Sequence, residues 1–172
     1  MPLKSVKTPT ADSSVMPMPL AYLETLKNFR VVIRAAQRHS AWVEKQCGVS
    51  GAQLWVMQEL HDHSGLRVGD IAKKLAIHQT TASNLLDSLE KRGYVVKTRD
   101  REDQRVVKLA LSDHGAELML RAPAPARGLL PEALQKLDVQ SLVKLNDGLK
   151  ALLESIEGED AGHGLQPLPF TL

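Results

Sequence analysis

The chain has 172 residues, 43% hydrophobic and 24% charged, with a net charge of +2, which fits one globular domain with small appendages and excludes a large multidomain enzyme. Its six aromatic residues are too few for a sheet that stacks single-stranded bases, and the sole cysteine, Cys47, excludes an internal disulfide or a thiolate zinc cluster. No apolar run reaches the roughly 18–20 residues that span a bilayer, and Met1 to Leu20 lacks the apolar core of a secretory signal, so the expected location is the cytoplasm, away from membranes.

Prolines at 2, 9, 17 and 19 mark residues 1–19 as an arm, and none follows until Pro123. Residues 158–172, with Pro167 and Pro169, read as a tail. After the arm, Leu23, Leu26, Phe29, Ile33, Ala36 and Val43 recur at helical spacing and predict a long first helix ending near Gly48. Ser50 followed by Gln53 is a capping box, and Leu54, Met57 and Leu60 continue a second helix. A short helix spans Gly69 to Leu75. The next starts near His78, buries the stripe Ala82, Leu85, Leu86 and Leu89, and closes at Gly93.

The period then changes to that of a strand. Tyr94 to Arg99 and Arg105 to Leu111 flank a charged loop and predict a hairpin. Ser112 caps a further helix that Pro123 and Pro125 end, and Leu142, Leu145, Leu149, Leu152 and Leu153 make a last amphipathic helix. The fold class is mainly α, in the α+β sense, with one β-hairpin.

Charge is uneven along this order. Lys91 to Lys108 holds seven basic and three acidic residues, a balance of +4, whereas Asp138 to Asp160 balances at −4. One end of the molecule therefore attracts phosphates. A short helix, a turn and a second helix opening on small polar residues is also how a helix-turn-helix offers base-reading groups to a major groove. Gln79, Thr80, Thr81 and Asn84 suit that role, though caps and solvated loops account for the same residue types.

Several ordered motifs sharpen this reading. The run Val68-Gly69-Asp70-Ile71-Ala72-Lys73-Lys74-Leu75, the segment Thr80 to Val95, the stretch Arg99-Asp100-Arg101-Glu102-Asp103-Gln104-Arg105 and Leu111-Ser112-Asp113-His114-Gly115 together resemble the winged-helix domain of the MarR family of bacterial regulators. The resemblance implies a winged helix-turn-helix domain over 50–111 and a helical dimerisation region over 20–49 and 112–157. It further implies a homodimeric transcriptional repressor of double-stranded DNA that reads a pseudo-palindromic site. The recognition helix would be His78 to Arg92, with Gln79, Thr80, Thr81, Ser83, Asn84, Ser88 and Lys91 at the DNA. The wing would add Arg99, Arg101, Asp103 and Arg105, the aspartate orienting the arginine. Where many relatives carry a basic residue, this chain has Asn84 and Ser88, which shifts backbone anchoring to the wing and Lys91. The amides of Gln79 and Asn84 pair with adenine, so A·T pairs are expected under the helix.

Regulators of this kind often hold a small effector between the dimer helices and the DNA-binding lobe. Phe29, His39, Trp42 and Trp55 are the candidate residues for a small aromatic molecule, although rings at such positions also serve as core. Cys47 is a candidate redox switch, set against its place at a helix C-terminus, which disfavours a thiolate. His61 and His63, two apart, point to different sides of a helix, so no metal site is expected. No cofactor is expected either. The chain lacks a glycine-rich phosphate loop, a His-Glu-x-x-His and a Gly-x-Ser-x-Gly elbow, so no catalysis is expected. The alternative of another class is a winged-helix module that contacts proteins without DNA affinity.

Overall fold

Side-chain caps at Ser50, Ser112 and Asp138 set the starts of three helices. The computed structural model describes residues 18–100, 103–156 and 161–172. Helix α1 runs Met18–Cys47. Pro19 falls in its first turn, where a missing amide hydrogen removes no helical bond, so the helix starts inside the expected arm. The arm's first 17 positions lie outside the described residues. By its contacts the chain divides into a unit ending at Arg34 and a second unit, Ala35–Leu172. In the first, Leu23, Leu26 and Ile33 are exposed along α1.

The second unit holds the core. The reciprocal cap at α2 (Gly51–Asp62) is formed: Ser50 Oγ accepts the Gln53 amide at 3.2 Å, and Gln53 Oε1 accepts the Ser50 amide at 3.0 Å. Leu54, Val56, Met57 and Leu60 of α2 meet Ile71 and Leu75 of α3 (Val68–Leu75) and Ala82, Leu85, Leu86 and Leu89 of α4 (Gln79–Lys91). Burying each leucine contributes about 1.5–3 kcal/mol, so this stripe fixes which face of α4 points outward. Ala76 makes the turn between α3 and α4 in the left-handed region, at φ 52° and ψ 48°.

Strands β1 (Val95–Arg99) and β2 (Val107–Leu111) pair antiparallel, Val95 opposite Leu111 and Arg99 opposite Val107. β2 begins two residues later than the sequence suggests. The reason is local: Asp100 N–H bonds Val106 O and Val106 N–H bonds Asp103 O, both at 2.9 Å, which closes the loop before the ladder starts. Leu66 adds a bridge to Leu109. Helix α5 (Asp113–Arg121) is capped by Ser112, whose Oγ accepts the Gly115 amide at 3.0 Å. A Cβ on Gly115 would lie 2.1 Å from the Tyr94 carbonyl oxygen, so this close approach admits only glycine.

The prolines after α5 end it as expected. They do not prevent a short α6 (Leu129–Gln135), in which Pro131 occupies the first turn. Asp138 then caps α7 (Val139–Glu154), accepting the Ser141 amide at 2.9 Å. Leu142, Leu145, Leu149 and Leu152 of α7 are exposed.

The expected tail is seated on its own chain. Its two 3₁₀ turns, Ala161–Leu165 and Pro169–Thr171, run beside α2 and the start of α4. Leu165 O accepts the His78 amide at 2.9 Å, and Phe170 O accepts the Ser40 hydroxyl at 2.6 Å. No helix among the described residues is long and apolar enough to cross a membrane.

Candidate nucleic-acid interface

With the leucine stripe of α4 turned inward, Thr80, Asn84, Asp87 and Lys91 fall at i, i+4, i+7 and i+11 on the opposite face. Gln79, Thr80, Asn84 and Lys91 are exposed, and Thr81, Ser83 and Ser88 are half-buried on the flanks. Ser88 differs in use from the expectation. Its Oγ accepts a 2.9 Å bond from Gln53 Nε2, so it ties α4 to the cap of α2. Thr81, Asn84 and Ser88 line one side of an open cleft of about 450 Å³, with Ser50, Gln53 and Arg92 across it.

The wing's cations are not equivalent. Lys97 reaches back to α4, contacting Asp87 at 2.5 Å and Glu90 at 2.8 Å. Those hydrogen bonds hold the Lys97 ammonium above its ordinary range, and the same bond with its charge holds the Asp87 carboxyl below its own. Lys108 pairs with Asp100. Arg92 donates to Gly48 O at 2.7 Å and lies over the Tyr94 ring at 5.2 Å. Lys91, Arg99 and Arg105 take part in no ion pair among the described residues. Of the cations on α4 and the hairpin, these three are left for an external anion among the described residues, while Arg101 lies outside them.

Asp103 departs from its expected task. Its Oδ1 accepts the main-chain amide of Arg105 at 3.0 Å, and among the described residues no ion pair joins it to the Arg105 guanidinium. The carboxylate shapes the turn, because an Asx bond two residues on is the shorter reach.

Of the four effector candidates, His39 and Trp55 line one mainly apolar cavity of about 400 Å³, whereas Trp42 is not among its lining residues and Phe29 belongs to the unit ending at Arg34. His39 Nε2 lies 3.1 Å from Pro125 O, and its ring is tilted against Trp42 at 5.8 Å. Trp55 donates its indole N–H to Glu59 at 3.1 Å. Glu59 is buried, 4% exposed, and also receives Arg127 Nε at 2.7 Å and Lys74 Nζ at 3.1 Å. Arg127 Nη2 bonds Asp62 at 2.5 Å. Burial alone would raise the Glu59 carboxyl, yet the donors from Arg127, Lys74 and Trp55 together bring it below its ordinary 4.5. Sequence reasoning missed this cluster, because Glu59 and Arg127 are 68 positions apart and no periodicity joins them.

Cys47 is buried, and burial pushes its thiol up, an effect the nearby Arg121 charge opposes without reversing. That is the opposite of the lowered thiol a redox switch needs. His61 lies 3.4 Å from Asp62, whose other oxygen Arg127 holds, and His114 stacks on Tyr94 at 4.7 Å. Among the described residues no group of three or more His, Cys, Asp or Glu is placed to hold a metal.

A short helix, a left-handed turn, a second helix with a polar outer face and a hairpin closing beside it define a winged helix-turn-helix. Residues 48–106 match the MarR family model, so this segment is similar to the regulators of that family. The HTH-type transcriptional repressor MdtR of Bacillus subtilis is 36% identical over 73 residues, which are 42% of this chain and 46% of that one. The uncharacterized HTH-type transcriptional regulator YfiV of the same organism is 28% identical over 69% of this chain and 72% of its own. The chain thus matches about half the length of MdtR. A MarR family transcriptional regulator from Streptomyces coelicolor, solved in complex with DNA, shares the fold with a TM-score of 0.57 at 19% identity, covering 86% of this chain and 94% of that one.

Proposed function

We propose that the protein is a sequence-specific transcriptional regulator of double-stranded DNA, acting as a homodimeric repressor that a small molecule releases. One observation carries the reading: the outward face of α4 presents Gln79, Thr80 and Asn84 beside the cations Lys91, Arg99 and Arg105, which no acid among the described residues neutralises in an ion pair. Base edges need the first group and phosphates the second. The half-buried Thr81, Ser83 and Ser88 flank that face, Ser88 acting through Gln53.

A homodimer is supported by apolar side chains with no cover. Leu142, Leu145, Leu149 and Leu152 on α7 are each about two-fifths exposed, a stripe that a second copy would bury. Repression is supported by the name of MdtR, and release by the cavity beside α2. The testing experiment is selection from a pool of random duplexes. It is expected to enrich a two-fold symmetric site with half-sites about one helical turn apart and A·T pairs near each recognition helix. Failure to enrich any symmetric sequence would contradict it.

A further inference from the structure

We propose that residues 161–172 are a tethered strap across the cavity lined by His39 and Trp55, and that the molecule which displaces it is uncharged and apolar. The first part rests on where the strap is fastened. Phe170 and Pro167 line the cavity, Phe170 O takes the Ser40 hydroxyl at 2.6 Å, and Leu165 O takes the His78 amide at 2.9 Å. His78 is the residue before the first turn of α4, so one end of the strap closes the cavity and the other holds the start of the outward helix.

The second part follows from how the polar side chains around the cavity are used. Arg127, the cation in its wall, already bonds Glu59 and Asp62, and Lys74 completes a cluster of two acids and two bases. The Trp55 indole N–H is given to Glu59, the Ser40 hydroxyl to Phe170 O, and His39 faces Pro125 O. A carboxylate entering here would lose its hydration and find no cation without an acid already on it. An uncharged ring loses nothing of that kind and replaces the Phe170 side chain in kind. About 400 Å³ is already open with Phe170 and Pro167 as one wall, and the volume of the Phe170 ring adds to it when the strap leaves, so a molecule of one or two rings that spans both takes the place of that ring.

Because strap and ligand compete, the apparent affinity equals the intrinsic affinity multiplied by the fraction of molecules with the strap away. The probe is N-phenyl-1-naphthylamine, a neutral fluorophore, titrated into the full chain without DNA. Phe170→Ala is expected to tighten its binding at least five-fold, and Ser40→Ala, a smaller change, to act in the same direction. Unchanged or weaker binding in both overturns the strap. 2-Naphthalenemethanol is expected to displace the probe at a concentration at least ten-fold lower than 2-naphthoate; the reverse order overturns the ligand class. Saturating probe should also speed hydrogen exchange at the His78 amide, and an unchanged rate overturns displacement of the strap. Transmission to DNA rests on the function proposed above. None of these readouts uses a duplex, so a failure of the DNA reading leaves them standing.

Discussion

At the residue scale, identity and burial decide separate things. Asn84 is exposed on the outer face of α4 and has a two-sided amide, so Asn84→Ala is expected to relax base preference at one position per half-site, a loss of about 1–3 kcal/mol of discrimination there. Duplex selection with the variant checks it, and an unchanged preference contradicts it. Glu59 does its work inside. Its carboxyl is held below 4.5 by donors that outweigh burial, so its contribution is full above that pH and is lost as the pH falls through the lowered value. Glu59→Gln should cost about 2–4 kcal/mol at neutral pH, since it leaves Arg127 and Lys74 short of a partner. Denaturant titrations from pH 7 down to pH 3 should show the gap to wild type closing, and a constant gap contradicts the assignment. The polar outer face of α4 was legible in the sequence because its complement, the leucine stripe, repeats every three or four residues. Glu59 was not, since its meaning depends on an arginine from a distant loop.

At the element scale, the hairpin separates charge that composition only adds up. The balance of +4 over Lys91 to Lys108 overstates what reaches solvent, because Lys97 and Lys108 turn to acids while Lys91, Arg99 and Arg105 do not. Asp87 shares the outer face of α4 with Asn84 and holds Lys97 against it. Asp87→Asn is therefore expected to tighten binding to every duplex several-fold and to steepen its salt dependence, with sequence preference unchanged. Weaker binding, measured by fluorescence anisotropy over a salt series, would show that the pair positions Lys97 instead of withholding it. Periodicity predicted the hairpin itself. It could not place the start of β2, which backbone bonds within the loop decide, nor α6, which a proline in its first turn disguised.

At the scale of the whole molecule, the buried core accounts for the winged helix, and the exposed leucines of α7 are the surface proposed above to pair with a second copy. Leu145→Asp with Leu149→Asp is expected to halve the sedimenting mass and to weaken duplex binding at least 100-fold, because a monomer engages one half-site without its neighbour's help. An unaltered mass contradicts this pairing surface. The order of elements was readable as far as local signals reach. The seating of the 161–172 segment was not, since two backbone carbonyls fasten it and carbonyls carry no sequence signature. In the proposed function the outer face of α4 and the wing together read duplex DNA. The deciding measurement is the affinity for the duplex upstream of the protein's own gene, against a shuffled duplex, across a salt series. The expected result is preference for the first duplex and a steeply negative slope of log affinity on log salt, which Arg99→Ala and Arg105→Ala each flatten by about 0.9 for every phosphate they no longer neutralise. A flat slope for the wild type, or a slope that neither arginine changes, would contradict it.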